Sequence, residues 1–191
     1  AAGGGVSATS RTDPTEQDTS GTDRGAQNLR LEGTSIEQNF LTGSAGLGGG
    51  LLIEGSILGA VKGCSVRINQ ATGDGGGVAT AGGASLTLSG SQVAGNSAGV
   101  CGGGLSLASP HAARLLGSVQ LADNRATDGG GVCAQHRDPS DLSCLTVPQQ
   151  PDLFMLHFDQ RTDQGSGPLN VEISGNAATA GGGAFFAGCR G

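Results

Sequence analysis

At 191 residues the chain is one domain of ordinary size or one slice of something longer. It holds 38 Gly but no Trp or Tyr, with 5 Phe and 1 Met, so any core must be narrow and built from Val, Leu, Ile and Ala. A net charge of −6 without a basic stripe argues against nucleic acid as a partner, and no apolar run approaches the ~18 residues of a membrane span.

The chain opens at "AAGGGV" with no Met and no visible signal peptide, so it reads as a mature or excised segment. Residues 7–27, "SATSRTDPTEQDTSGTDRGAQ", are polar and rich in Thr, Ser and Asp, and are expected to form an exposed insertion. Its Thr and Ser suit O-linked glycan, whereas no N-x-[ST] sequon occurs.

From this point the landmarks are periodic. GGG triplets begin at Gly3, Gly48, Gly75, Gly102, Gly129 and Gly181, spaced by 45, 27, 27, 27 and 52 residues. Three equal spacings define a repeat, and the two longer ones read as one period plus an insertion. Upstream of the last five triplets lie Asn39, Asn69, Asn96, Asn124 and Asn176. Three residues before each Asn is an apolar residue: Ile36, Val66, Val93, Leu121 and Ile173. The unit is apolar-x-x-Asn, a short loop, GGG, apolar.

Between triplets the chain alternates as strands do. Leu86 and Leu88 share one face, as do Leu169, Val171 and Ile173. No stretch of ten or more residues reads as an amphipathic helix. The expected fold is all-β: a parallel β-helix of about 27 residues per coil, three short strands to a coil. At about 4.8 Å between coils, six triplets predict a rod section roughly 25–30 Å long. Asn is the expected corner residue, because it tolerates the left-handed backbone and stacked Asn side chains bond to one another. Gly supplies dihedrals and close approaches that a Cβ forbids.

The motifs "LADNRATDGGGV", "VAGNSAGVCGGGL" and "ISGNAATAGGGA" resemble the polymorphic outer membrane protein repeat of surface autotransporters. That family pairs F-x-x-N with G-G-A-(I, L or V). Here the first motif has Ile, Val or Leu for Phe, and the second has Gly for Ala. The resemblance covers about residues 29–133 and 169–187. It implies a right-handed parallel β-helix exposed outside the cell, used for adhesion or surface architecture, and it names no catalytic residue.

A second insertion is expected over residues 134–168, within a single domain spanning 1–191. It carries Phe154, Met155, Leu156 and Phe158, a density of apolar residues that must be covered, either by the flank of the rod or by a neighbouring subunit. The cysteines are Cys64, Cys101, Cys133, Cys144 and Cys189. Cys133 with Cys144 would tie down the base of the insertion, and Cys144 with Cys189 is a competing pair. The odd count leaves one over, and free buried thiols are a third reading.

Catalysis has weak support in the sequence. Asp74, Asp123 and Asp128 lie in or near the Asn-to-GGG loops, where Asp is a common turn residue. His111, His136 and His157 are scattered, and no metal-ligand spacing or cofactor motif occurs. The expected protein is a non-catalytic extracellular structural element of a fibre, appendage or surface layer. It would associate with itself or with neighbouring segments, and needs no cofactor or metal. An adhesin segment binding a receptor or glycan is the alternative, and a polysaccharide-cleaving enzyme the third. The chain begins inside an Asn-to-GGG loop and stops after one strand of a new coil. It therefore reads as cut from a longer solenoid or as a unit that stacks end to end.

Overall fold

The computed structural model describes residues 4–9, 27–43, 46–108, 113–135, 156–159, 161–162, 165–166 and 170–187. Among them there is no helix. Short strands stack in parallel into a β-solenoid.

Each coil contributes to four sheets rather than the three expected. Sheet one holds Val6–Thr9, Leu51–Glu54, Val78–Ala81, Leu105–Ala108, Val132–Gln135 and Ala184–Ala187. Sheet two holds Gln27–Glu32, Ile57–Lys62, Ser85–Ser89, Ala113–Leu116 and Leu156–Asp159. Sheet three holds Ser35–Glu37, Ser65–Arg67, Gln92–Ala94, Ser118–Ala122 and Asn170–Ser174. Sheet four is the additional one: Phe40–Leu41, Gln70–Ala71, Ser97–Ala98, Arg125–Asp128 and Ala177–Ala180. Three of its strands are two residues long, too short to show any alternation.

The register keeps like on like. Ile36, Val66, Val93, Leu121 and Ile173 face one another in turn across sheet three. In sheet two Leu31, Val61, Leu88 and Leu115 do the same. With Leu51, Ile53, Val78, Leu105 and Val132 of sheet one they form a single apolar column inside the rod. Burying such side chains contributes about 1.5–3 kcal/mol each relative to exposure. Gly59 belongs to this inner face. A Cβ there would run into the Cδ1 of Ile53, so the missing side chain makes room for a large neighbour.

A second apolar layer lies at the corner between sheets four and one. Leu41, Ala71, Ala98 and Ala126 of sheet four are buried, as are Leu52, Ala79 and Cys133 of sheet one, all outside the main column. This explains why Leu51–Glu54 reads as a continuous apolar run rather than an alternation: both of its faces are covered.

The expected insertion over 134–168 is divided. Leu156–Asp159 is a strand of sheet two, with Leu156 opposite Ala113 and Phe158 opposite the buried Leu115. Arg161–Thr162 and Gly165–Ser166 then pair antiparallel before the chain enters sheet three. At the other insertion, residues 7–9 belong to sheet one and Gln27 starts sheet two. Residues 10–26 and 136–155 both follow a sheet-one strand and precede a sheet-two strand.

Candidate functional site

The residues that define the repeat come together in one continuous structure. Asn39, Asn69, Asn96, Asn124 and Asn176 stack along the rod. Each Nδ2 donates to the Oδ1 of the next, at 2.9, 3.0, 3.0 and 3.0 Å. The same Oδ1 also accepts the backbone N–H of the preceding Asn, at 2.9–3.1 Å. A second Nδ2 proton reaches back to the carbonyl of the apolar residue one coil earlier: Asn69 to Ile36, Asn96 to Val66, Asn124 to Val93 and Asn176 to Leu121. Asn69, Asn96 and Asn124 are buried with both side-chain protons and both acceptor positions used.

The left-handed residue expected at Asn lies one position earlier. Gln38, Ile68 and Asp123 have φ of 57°, 55° and 55°, and Gly95 and Gly175 occupy the same place at 64° and 62°. The turn is completed before the Asn, which leaves its amide free to point along the rod. Ile68 is a β-branched residue in this conformation, a costly choice.

Each glycine of a triplet has its own reason to be there. In the triplet starting at Gly75, the first residue has φ +65°. A Cβ on Gly76 would lie 2.7 Å from the carbonyl oxygen of Gly103 and would also strike the Ser97 carbonyl of the next coil. A Cβ on Gly77 would lie 2.8 Å from Val93 Cγ1 and 3.0 Å from Asn96 Nδ2. The triplet therefore combines one backbone that needs positive φ with two coils in van der Waals contact, the last of them over the Asn ladder. Gly48, Gly102, Gly129 and Gly181 are likewise left-handed, at φ 70°, 70°, 58° and 61°.

The cysteine pairing expected from sequence is corrected. Cys133 bonds to Cys101, not to Cys144, with their Cα atoms 5.6 Å apart. Cys101 sits one residue before a triplet and Cys133 two residues after the next, so the bridge staples adjacent coils through the second apolar layer. Cys144 and Cys189 lie outside the described residues. Cys64 is a free, buried thiol. Its Sγ donates to the Lys62 carbonyl at 3.3 Å and accepts the Thr34 N–H at 3.4 Å, while its own N–H bonds Ser91 Oγ. It fills a place that Ser91 fills one coil on.

The three Asp residues weighed for catalysis are not brought together. Asp74 is buried and Asp128 half-buried at the corner before their triplets, two coils apart with Cys101 between them; Asp123 is at a different corner. Among the described residues no group of three or more His, Cys, Asp or Glu is placed to hold a metal. His111, His136, Phe154 and Met155 lie outside the described residues. A charged contact with two donors lies on sheet three, where Arg67 meets Glu37 Oε1 through Nε at 3.1 Å and Nη2 at 2.8 Å. Hydrogen bonds from Ser35 and then from Arg67 hold the Glu37 carboxyl below its ordinary value.

The geometry defines a class, a parallel β-solenoid with a polar Asn spine. No protein-family model, curated protein or solved structure matches the chain.

Proposed function

We propose that this chain is a non-catalytic structural element of an extracellular surface protein, a β-helical building block of a fibre, appendage or surface layer. The observation that carries the reading is the continuity of the spine: every coil uses the same side chain to bond its neighbour. The chemistry is spent on coil-to-coil cohesion. The Cys101–Cys133 staple supports an oxidising setting outside the cytosol. The resemblance of the apolar-x-x-Asn and GGG motifs to the polymorphic outer membrane protein repeat supports the same setting.

Negative-stain electron microscopy of native-source material beside the isolated chain tests the proposal. Filaments or sheets with an axial repeat matching the rod or a multiple of it are the expected result. Dispersed single rods at high concentration would overturn self-assembly.

One observation favours an adhesin as second reading. The first insertion and the longer part of the second both fall between a sheet-one strand and a sheet-two strand, so their ends meet the rod at one corner. Replacing residues 137–154 with a short Gly/Ser linker would then abolish saturable binding to cells or glycans and leave the solenoid folded.

A further inference from the structure

The two end faces of the described coils are chemically opposite. Within the rod each glycine triplet donates its backbone N–H groups to carbonyls of the later coil: Gly75, Gly76, Gly77 and Val78 donate to Cys101, Gly102, Gly103 and Gly104. At the C-terminal face the N–H groups of Gly181, Gly182, Gly183 and Ala184 have no acceptor among the described residues, nor have the N–H and the second Nδ2 proton of Asn176. At the N-terminal face the Gly4 and Gly5 carbonyls and Asn39 Oδ1 have no donor among them. The glycines give an independent sign. A Cβ on Gly5, Gly50, Gly77 or Gly104 would lie 2.6–2.7 Å from a carbonyl oxygen of the next coil. A Cβ on Gly183 would meet only Ile173 Cγ2, at 3.7 Å, and its φ is not left-handed. Nothing among the described residues requires glycine there. Phe186 is also 52% exposed, although Ile53, Thr80, Leu107 and Ala134 of the same row are buried.

We propose that a second copy of this chain stacks head to tail on the C-terminal face and continues the solenoid in register. The proposal rests on the building-block reading and names its joint. Gly183 and Ala184 donate their N–H groups to the Gly4 and Gly5 carbonyls of the second copy, as Gly131 and Val132 donate to Gly182 and Gly183 within the rod. The N–H and Nδ2 of Asn176 share Asn39 Oδ1 of the second copy, as those of Asn124 share Asn176 Oδ1. Register then sets Ile36 on Ile173 and Ala8 on Phe186, so the exposed aromatic meets a small side chain. On the outer face of sheet three Glu172 falls opposite Ser35, and Ser174 opposite Glu37. In sheet two Asp159 falls opposite Glu32, a like-charge contact at an exposed rim, where such contacts weigh little and salt screens them. Two C-terminal faces set together would oppose donors to donors, so head-to-tail order alone satisfies both faces.

Sedimentation velocity of the full chain over a concentration series, beside Gly183→Ala and Phe186→Ser, tests the joint. The wild-type chain is expected to associate as concentration rises. Gly183→Ala should leave far-UV circular dichroism and the urea midpoint unchanged, because its methyl makes only an ordinary contact within the chain. In the joint that methyl meets a backbone carbonyl of the second copy, so association should weaken at least about tenfold. Phe186→Ser should weaken it severalfold. Copper-phenanthroline oxidation of a mixture of Glu37→Cys and Ser174→Cys chains should trap a disulfide-linked dimer above the wild-type level, and neither variant alone should do so. A chain that stays monomeric at high concentration would overturn the proposal, the face then being covered by the chain's own residues outside the described set. Full association of Gly183→Ala, no trapped dimer from an associating mixture, or a dimer from one variant alone would overturn it too. Filaments that persist in Gly183→Ala, or that form in native-source material while the isolated chain stays monomeric, would sink the joint and leave the building-block reading standing.

Discussion

Replacing Asn96 by Ala removes the central rung of the spine. Its Oδ1 accepts Asn69 N–H and Asn69 Nδ2, both at 3.0 Å. Its Nδ2 donates to the Val66 carbonyl at 2.9 Å and to Asn124 Oδ1 at 3.0 Å. The partners fare differently when it goes. Asn124 Oδ1 keeps the Asn96 backbone N–H, and Asn69 Nδ2 keeps the Ile36 carbonyl. The Asn69 backbone N–H loses the acceptor that Oδ1 supplied, and it is buried where water does not replace it. A stranded buried group costs about 1–3 kcal/mol, so one fully stranded donor and three groups that each lose a bond, the Val66 carbonyl among them, give about 3–5 kcal/mol. Asn39→Ala is the internal control. That residue is half-buried and supplies only the Nδ2 bonds to Asn69 Oδ1 and the Glu37 carbonyl, so about 1 kcal/mol is expected. Asn96→Asp separates geometry from polarity. A carboxylate still accepts from Asn69, but it faces Asn124 Oδ1 and the Val66 carbonyl with no proton to give. Its folded pKa must rise above the unfolded value. The penalty therefore grows as pH rises from the unfolded pKa through the folded one, and vanishes below both. Urea titrations followed by far-UV circular dichroism at pH 7 and pH 3.5 measure all three variants. A cost below about 1 kcal/mol for Asn96→Ala, or equal costs at Asn96 and Asn39, would refute the spine as a cohesive element.

Other positions make separate demands. Gly76→Ala should cost about 3 kcal/mol or more in urea unfolding, because the methyl meets backbone carbonyls of the next coil. Gly33→Ala, with φ +59° and nothing within 4 Å, should cost only about 1–2 kcal/mol of backbone strain. Ile68→Asn should raise stability by about 1 kcal/mol, since Ile68 is exposed at φ 55° and Asn tolerates that backbone; a lower denaturation midpoint would contradict this. Reducing Cys101–Cys133, or replacing both with Ala, should cost about 3–4 kcal/mol by the loop-entropy estimate for a separation of 32 residues, and Cys64→Ser should leave that difference intact. The Glu37 carboxyl should titrate below the ordinary Glu range by carbon-detected NMR and move upward in Arg67→Gln. A folded pKa below the unfolded one means its stabilising contribution is present at neutral pH and is lost as pH falls through the folded value.

The parts of the fold legible in the sequence are those fixed by the period. The 27-residue spacing of Gly48, Gly75, Gly102 and Gly129, and the residue three before each Asn, already define which side chains stack: Val66 on Val93, and Val93 on Leu121. Features set by contact between coils were not legible. Sheet four has strands such as Gln70–Ala71 and Ser97–Ala98, too short for any pattern. Leu156–Asp159 lies far along the chain from Gln135, and its place in sheet two depends on meeting Ala113–Leu116. Cys101 and Cys133 are far apart along the chain and adjacent only because one coil lies on the next. The left-handed position before Asn is filled by Gln, Ile, Asp or Gly, so no single residue type marks it.

The spine also has a direction. Asn39, Asn69, Asn96 and Asn124 each donate toward the later coil, and every Asn after the first returns one proton to the coil before it. For a chain leaving the ribosome N-terminus first, each finished coil waits with two unspent donors. The arriving Asn engages both with a single oxygen while its own nitrogen reaches back to a carbonyl already in place. The ladder is therefore polar: its donors face the C-terminal end and its acceptors the N-terminal end of the described coils.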